Sequence, residues 1–305
     1  MTAAAPAQGA LREGLVVACR RRSFTVALAD GEIVECVLKG RSLALACGDV
    51  VRVARAAGGG VIESIAPRTS LFHRSDAYRE KLIAANVTQV CGVAAPGLSL
   101  DEELIHRWTI AAEAQGCRFV LVANKSDLPG FDELLARLAP FAELGYPVVE
   151  LAATVDASPL QPWLAGAHTA LIGQSGMGKS TILNAVAPDA NAATAAVSAA
   201  LATGRHTTSN STLHRLPASS GNGWIVDTPG LKAFGLAHLE PAAIAHAFVE
   251  LRPFLGHCRF RDCRHLNEPG CAVQDAVANG EMEPHRLALL HELFATSTAA
   301  RAPGR

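Results

Sequence analysis

A phosphate-binding loop is the stretch of this sequence with the clearest chemistry. The pattern GxxxxGK[ST], with the residue after it, comprises Gly173, Gln174, Ser175, Gly176, Met177, Gly178, Lys179, Ser180 and Thr181. Glycines allow a tight turn whose backbone N–H groups point at phosphate, and a following helix adds the positive end of its dipole. Lys179 is expected to act in catalysis by neutralising the β and γ phosphates, and Ser180 to bind Mg²⁺. A β-like run at 169–172 and a helical pattern at 181–186 supply the flanking strand and helix.

A second motif, Asn124-Lys125-Ser126-Asp127, is typical of guanine recognition. The carboxylate of Asp127 can accept hydrogen bonds from N1–H and the 2-amino group of guanine, and adenine lacks this pair of donors. Asp127 should therefore favour GTP over ATP. Asn124 is expected to contact the other edge of the ring, and the stem of Lys125 to cover its face. A metabolic P-loop kinase is the competing enzyme class, but it has no need of Asp127.

A third motif, DxxG, lies at 227–230 after an apolar run at 224–226. Asp227 is expected to hold Mg²⁺ through water, and Gly230 to offer its N–H to the γ-phosphate. The next residue is Leu231, where Ras-like enzymes carry a glutamine that orients water. Because a hydrocarbon cannot orient water, catalysis needs another group.

The three motifs stand in a rotated order along the chain. An ordinary GTPase runs from the phosphate loop through DxxG to NKxD, whereas this chain begins with NKxD and ends with DxxG. The cyclic order is kept. A sheet with helices on both faces can be re-cut at a surface loop when its natural ends lie close together. The sequence therefore predicts an α/β, circularly permuted P-loop GTPase core. Ordinary GTPases have a further loop, of the SAK type, that contacts the base, and residues 152–154 are only a weak match to it.

Cysteines and a histidine cluster near the end of the sequence with the spacing of a metal site. Three of the eight cysteines and one histidine fall within 14 residues, as Cys258-x₄-Cys263-x-His265-x₅-Cys271. This set suits a tetrahedral Cys₃His zinc site, because metal supplies folding energy that a short, loop-rich segment lacks. A disulfide and merely buried thiols are the alternatives, and a reducing cytoplasm disfavours the disulfide. His257 is a rival ligand, but it adjoins Cys258 and is less well spaced than His265.

The first part of the sequence reads as five short β-strands separated by turns. The runs lie at 16–18, 24–28, 33–38, 50–53 and 61–65. Five short strands favour an OB-fold, and an SH3-like barrel is the alternative. Residues 1–81 carry 12 Lys+Arg against 8 Asp+Glu, a net of +4, whereas the whole chain is −1. RNA phosphate is a candidate partner for Arg20, Arg21, Arg22, Arg41, Arg52 and Arg55, although a solvated surface explains them equally well.

Length and composition favour a soluble protein of two or three domains. The chain has 305 residues, of which 50% are hydrophobic and 18% charged, enough for a sizeable core. Helical spacing at 240–255 and 284–294 predicts two helices that pack rather than bind ligand. No run is apolar enough to span a membrane and no signal sequence opens the chain, so a cytoplasmic protein without a membrane partner is expected.

Taken together, these features resemble the ribosome small-subunit-dependent GTPase A family of bacteria, also called RsgA or YjeQ. The resemblance rests on VTQV at 87–90, NKSD at 124–127, GQSGMGKST at 173–181, GRHTT at 204–208, DTPG at 227–230 and the cluster from Cys258 to Cys271. It implies an N-terminal OB domain, a circularly permuted GTPase core and a mainly helical, zinc-binding C-terminal domain. The corresponding ranges are 1–10 for a disordered tail, 11–70 for the barrel, 71–240 for the GTPase domain and 241–305 for the zinc domain.

The resemblance also implies a function. It implies a GTPase that uses Mg²⁺ with GTP, carries one Zn²⁺, binds the small ribosomal subunit and its rRNA, and acts in late maturation with subunit-stimulated turnover. Residues 197–209 resemble the first switch, in which Thr207 or Thr208 would bind Mg²⁺. His206 is the candidate catalytic group. We expect a monomer. The alternative is a nucleotide-gated rRNA-binding module with negligible turnover, supported by Leu231.

Overall fold

The structure, a computed structural model, describes residues 11–20, 23–40, 44–56, 58–76, 79–97, 100–188, 211–218, 221, 223–228 and 234–301. Its elements are β-strands and α-helices in an order that begins all-β, continues α/β and ends all-α. The predicted tail at 1–10 and the predicted switch at 197–209 lie outside the described residues.

The N-terminal strands form a closed barrel. They are β1 (Arg12–Cys19), β2 (Phe24–Leu28), β3 (Ile33–Leu38), β4 (Val50–Ala56) and β5 (Gly59–Ile65). They pair in the order β1-β2-β3-β5-β4, and a β1–β4 pairing closes the ring. Only the β3–β5 pair is parallel among these strands. This order and closure are those of an OB-fold, so the OB prediction is confirmed and the SH3-like alternative is wrong. Alternate residues such as Val16, Val26 and Ile62 fill the interior.

A hairpin and a parallel sheet follow. The hairpin is β6 (Leu71–Asp76) with β7 (Arg79–Ala85), and the sheet strands are β8 (Gln89–Ala94), β9 (Arg118–Asn124), β10 (Val148–Leu151), β11 (His168–Gly173), β12 (Thr212–Arg215) and β13 (Trp224–Asp227). Their order is β10-β9-β8-β11-β13-β12, with every pair parallel except β12–β13. Both faces are covered, so the strands are almost continuously buried and apolar. The helices of this part are α1 (Glu102–Ala114), α2 (Phe131–Glu143), α3 (Gln161–Leu164) and α4 (Lys179–Val186).

The sheet order explains how a rotated chain keeps one site. NKxD follows β9, the phosphate loop follows β11, and DxxG begins at the end of β13. These strands are parallel, so their carboxyl ends meet at one edge of the sheet, where ligands of open α/β sheets bind. The predicted permuted GTPase core is therefore confirmed as the fold.

Barrel and core share one continuous sheet. Strand β1 pairs with β12 through Ala18 and Thr212, which makes eleven strands in all. Asn86 strengthens this joint from the hairpin side, because its Nδ2 donates to the carbonyl of Gly48 at 2.9 Å and its Oδ1 accepts from the N–H of Thr69 at 2.9 Å. The barrel is thus attached next to the strand that follows the predicted first switch.

The C-terminal region is mainly helical. It contains α5 (Pro241–Ala247), a 3₁₀ turn (Val249–Leu251), α6 (Ala272–Ala278) and α7 (Pro284–Arg301). The helix predicted over 240–255 is shorter than expected, because Phe248 adopts an extended conformation (φ −82°, ψ 103°) that ends α5. The helix predicted at 284–294 is present and continues to Arg301. Ile244, Phe248 and Leu290 join the same apolar core as the central sheet.

A hydrogen bond and an ion pair fasten this region to α1. Buried Arg286 donates to Glu250 Oε1 at 2.5 Å and to Nδ1 of His106, on α1, at 2.7 Å. Arg107, the next residue of α1, forms an ion pair with Glu292 of α7 at 2.6 Å. The C-terminal region is therefore docked on the GTPase core and is not merely tethered by a linker.

Candidate nucleotide site and candidate metal centre

The phosphate loop connects β11 to α4, and it needs glycine at the positions that Asn124 and Val93 approach closely. Gly176 (φ 82°) and Gly178 (φ 94°) are left-handed. A Cβ on Gly178 would lie 2.2 Å from Nδ2 of Asn124, and one on Gly173 would lie 2.7 Å from the carbonyl oxygen of Val93. Glycine is therefore required at these positions by close contacts with Asn124 and Val93 as well as by turn geometry.

Lys179 begins α4 and turns back over the loop. Its Nζ donates to the carbonyl oxygens of Gly173 at 2.7 Å and Gln174 at 2.9 Å. Burial lowers the pKa of Lys179 from its ordinary value, and the charge of Asp227 opposes that shift. An ammonium group held here can exchange these carbonyls for phosphate oxygens. Ser180, the next residue, is exposed in the first turn of the helix.

Asp227 ends β13 beside the phosphate-loop strand, where it pairs with Leu171. Burial raises the pKa of its carboxyl group, whereas the neighbouring His214 and Lys179 lower it. The next residue, Thr228, is buried and donates to the carbonyl of Leu171 at 2.9 Å, which fixes the start of DxxG. A partly desolvated carboxylate is stabilised by a nearby cation, so this position fits a Mg²⁺ ion held with phosphate.

The guanine motif touches the phosphate loop directly. Buried Asn124 donates from Nδ2 to the carbonyl of Met177 at 2.9 Å, and its Oδ1 accepts from the N–H of Ala153 at 3.1 Å. Lys125, left-handed at φ 64°, donates from Nζ to the carbonyl of Gly176 at 2.8 Å. Asp127 is exposed at the rim. The expected contacts of all three with a guanine ring stay predictions.

One support of this site has a weak signal in the sequence, and a second has none. The loop at 152–154, a weak match to the base-contacting loop, does lie against the guanine motif through the N–H of Ala153. Gln174 accepts from the N–H of Asp101 at 3.2 Å, which ties the phosphate loop to the start of α1. No motif could have signalled this contact, because it joins residues 73 apart.

Several predicted site residues lie outside the described residues. These are the switch residues His206, Thr207 and Thr208, and also Gly230 and Leu231. Their predicted roles in γ-phosphate sensing, Mg²⁺ binding and catalysis stay predictions.

The cysteine–histidine cluster comes together as a compact set of ligands. One atom each from Cys258, Cys263, His265 and Cys271 lies within 4.8 Å of all the others. His265 Nδ1 is 3.6 Å from Cys258 Sγ and 3.4 Å from Cys271 Sγ, and these two sulfurs are 3.9 Å apart. A tetrahedral zinc ion requires about 3.8 Å between sulfurs and about 3.5 Å between sulfur and nitrogen. The donor set and its spacing therefore fit zinc.

The alternatives to a metal site fare less well. His257, the rival ligand, is exposed and is not a member of the cluster. Sulfurs 3.9 Å apart in Cys258 and Cys271 are far beyond the roughly 2 Å of a disulfide bond. Burial lowers the pKa of His265, which favours the neutral ring that offers a lone pair to a metal.

The described helices include none that is both long and apolar enough to cross a bilayer.

The chain is similar to a known family over most of its length. A family model described as RsgA GTPase matches residues 65–237. The small ribosomal subunit biogenesis GTPase RsgA of Nitrosomonas europaea is 47% identical over 285 residues, which are 92% of this chain and 90% of that protein. The protein of the same name from Bordetella pertussis is 43% identical over 294 residues, covering 95% of this chain and 97% of that protein.

Solved structures give the same result. YjeQ from Thermotoga maritima superposes with a TM-score of 0.69 at 29% identity, covering 95% of this chain and 99% of that chain. YloQ, a circularly permuted GTPase, superposes with a TM-score of 0.66 over 99% of this chain and 100% of that chain, and at 22% identity this likeness shows the fold. From the family model, the two relatives and the shared architecture, we conclude that the chain belongs to the RsgA GTPase family and is a GTP hydrolase with a circularly permuted core.

Proposed function

We propose that this protein binds the small ribosomal subunit, acts in its late maturation, and hydrolyses GTP with turnover that the subunit stimulates. The observation that supports it best is the assembly of three GTPase motifs at one edge of the sheet, with Asn124 bonded to Met177. The name of the relatives, small ribosomal subunit biogenesis GTPase, supports the subunit as the partner. A cytoplasmic location is also proposed, because the relatives are named for small-subunit biogenesis, and the monomer expected from the sequence is kept as a proposal.

The proposed nucleotide site uses the predicted residues. Phosphate binds the loop at 173–181, with Lys179 on the β and γ phosphates, and guanine binds Asp127. Asn124 and Lys125 hold the guanine loop against the phosphate loop, as their contacts with Met177 and Gly176 support. Mg²⁺ is held by Ser180, Asp227 and one of Thr207 and Thr208, and the N–H of Gly230 faces the γ-phosphate. His206 is the proposed catalytic group, and GDP occupies the same site after hydrolysis.

One Zn²⁺ is proposed for the C-terminal region, with Cys258, Cys263, His265 and Cys271 as its ligands. The distances among Cys258, His265 and Cys271, together with the position of Cys263 within 4.8 Å of them, support this assignment. Bound metal would supply folding energy to a segment in which Cys258, Cys263 and His265 lie outside helices and strands. We also propose that the domains divide at about residues 70 and 240, as predicted from the sequence.

Contact with rRNA is proposed for the barrel, where two of the candidate arginines are paired with carboxylates. Arg52 lies 3.3 Å from Glu13, and Arg55 pairs with Glu32. Such exposed pairs contribute only about 0–1 kcal/mol each, so RNA phosphate can compete for both arginines. Arg21, Arg22 and Arg41 lie outside the described residues.

The alternative, a nucleotide-gated rRNA-binding module with negligible turnover, keeps the same site and differs only in catalysis. Its supporting feature is Leu231, which cannot orient water. Hydrolysis of GTP is measured with and without purified small subunits, with large subunits as the matched RNA-rich control and Lys179→Ala as the inactive control. Stimulation by small subunits alone supports the proposed function. Binding to small subunits without stimulation supports the gated module, and no binding contradicts both.

A further inference from the structure

His265 lies in a backbone conformation that a histidine rarely adopts. Its φ is 62°, in the left-handed region, where a Cβ crowds the backbone and glycine is usually found. Only two other non-glycine residues in the described part of the chain, Asn86 and Lys125, have a positive φ. A strained conformation of this kind persists only when its surroundings hold it.

One carboxylate gathers the N–H groups on both sides of His265. Glu268 accepts from the N–H of Arg264 at 2.9 Å, of Leu266 at 2.7 Å and of Asn267 at 3.1 Å. These bonds, led by the one from Arg264, lower the pKa of Glu268 below its usual value. The carboxylate therefore closes the turn around the histidine.

Two side chains from separate helices hold the backbone carbonyl oxygen of His265. The carbonyl oxygen of His265 accepts from Nε2 of His291, on α7, at 2.7 Å and from Nε2 of Gln274, on α6, at 3.2 Å. Gln274 also donates to the carbonyl of Leu266. Because a carbonyl oxygen only accepts, His291 must carry its proton on Nε2.

We propose that Glu268, Gln274 and His291 form a brace that sets His265 in its left-handed conformation, with Nδ1 facing the three cysteines before metal binds. The proposal rests on the proposed zinc site. Residues that fix a ligand in advance raise metal affinity, because less conformational freedom is lost on binding. None of the three brace residues is a metal ligand, so each is a positioning residue.

The brace is anchored on a rigid support. His291 lies on α7, the helix whose Arg286 and Glu292 pair with His106 and Arg107 of α1. The position of His291 is therefore determined by docking on the GTPase core and not by the metal loop itself. A short loop of this sequence without α7 would lack the stronger of the two donors to His265.

The test measures metal affinity of the full-length chain. Metal is first removed from the protein. Zn²⁺ is then added in competition with a chromophoric chelator, which gives the affinity. In a parallel sample Co²⁺ is added, and its visible spectrum reports tetrahedral geometry. His291→Leu removes the donor and should weaken Zn²⁺ binding by about tenfold or more, with an altered Co²⁺ spectrum. His291→Gln retains an N–H donor and should recover most of the affinity. His246→Leu, at an exposed histidine of α5, is the matched control and should bind as wild type.

Each outcome decides the proposal. Wild-type affinity and spectrum in His291→Leu would overturn the brace while leaving the zinc site intact. A folded His291→Gln that binds as weakly as His291→Leu would overturn the hydrogen bond as the cause. Wild type that binds neither Zn²⁺ nor Co²⁺ would overturn the zinc site and the brace together. Gln274→Leu, which removes the other donor, should weaken binding in the same direction and serves as the test if His291→Leu does not fold.

Discussion

Asn124 donates from Nδ2 to the carbonyl oxygen of Met177 at 2.9 Å, and this bond joins the guanine motif to the phosphate loop. The two residues are 53 positions apart in the sequence. Asn124 also accepts from Ala153, so one amide holds three loops that follow three different strands. The site therefore has a preformed arrangement in the described loops.

The Asn124→Ala variant should be less stable and bind GTP more weakly. Asn124 is only 1% exposed, so its loss leaves the carbonyl of Met177 and the N–H of Ala153 without their partner. We expect a loss of about 1–3 kcal/mol in the free energy of unfolding, measured by chemical denaturation without nucleotide. Asn279→Ala, at an exposed position after α6, is the control. Equal losses in the two variants would contradict the role of Asn124.

Asp127→Asn should change the base that the site prefers. Asparagine can donate to the 2-oxo group of xanthine, whereas it no longer accepts from both donors of guanine. Affinity should shift from GTP toward XTP by roughly 10²-fold or more, as at other sites that read polar groups. Competition against a fluorescent nucleotide measures both affinities. Asp132→Asn, in the first turn of α2, is the control, and unchanged GTP affinity in Asp127→Asn would reject the guanine assignment.

His206→Ala should bind GTP normally and respond poorly to small subunits. Without a water-orienting glutamine, unassisted turnover should be on the order of 10⁻⁴ per second or modestly above. A positioned general base contributes roughly 10² or more, so the subunit-stimulated rate should fall by about that factor. Single-turnover hydrolysis with saturating subunits measures it. Lys179→Ala should instead weaken phosphate binding, and equal stimulated rates in wild type and His206→Ala would remove the histidine from catalysis.

Cys263→Ala should lose zinc and loosen the C-terminal region. Removing one ligand takes away the folding energy that metal gives to the loop between the 3₁₀ turn and α6. Wild type prepared without chelator should contain one zinc per chain by elemental analysis, and the variant much less. Faster proteolysis should be confined to 241–301. Cys19→Ala, a half-buried cysteine of the barrel, should keep its zinc. Zinc-free wild type would refute the assignment.

The docking of α7 on α1 should give stability a specific pH dependence. Burial, reinforced by the charges of Arg286 and His285, lowers the pKa of His106 to about 3. The unfolded chain binds a proton near pH 6.5, which the folded His106 does not take up. Its contribution to stability is therefore complete above about pH 6.5 and declines as pH falls toward 3.

His106→Gln tests that dependence. The difference in unfolding free energy between wild type and variant should narrow as pH falls from about 7.5 to 5, because only wild type has this histidine to protonate in the unfolded state. Chemical denaturation at each pH measures it. A constant difference across that range would show that His106 does not titrate as expected.

Sequence alone determined the chemistry and the fold class of this protein. Local spacing carries that information, because a phosphate loop needs its glycines and Lys179 within a few residues. A zinc site likewise needs Cys258, Cys263, His265 and Cys271 close together along the chain. The barrel and the permuted core followed from short β-like runs and from motif order. The helix at 240–255 was overestimated, because apolar spacing does not reveal that the backbone of Phe248 becomes extended.

Only the tertiary structure decided which side chains hold the site together. Strand order brings Asn124 to Met177 and Asp101 to Gln174, and helix docking brings Arg286 to His106 and His291 to His265. Each contact joins residues that are distant in the chain, and no sequence pattern links the two partners. Whether these contacts form depends on the register of the strands and on the angles at which the helices cross. Both arise from the packing of the whole core, and no local sequence pattern encodes them.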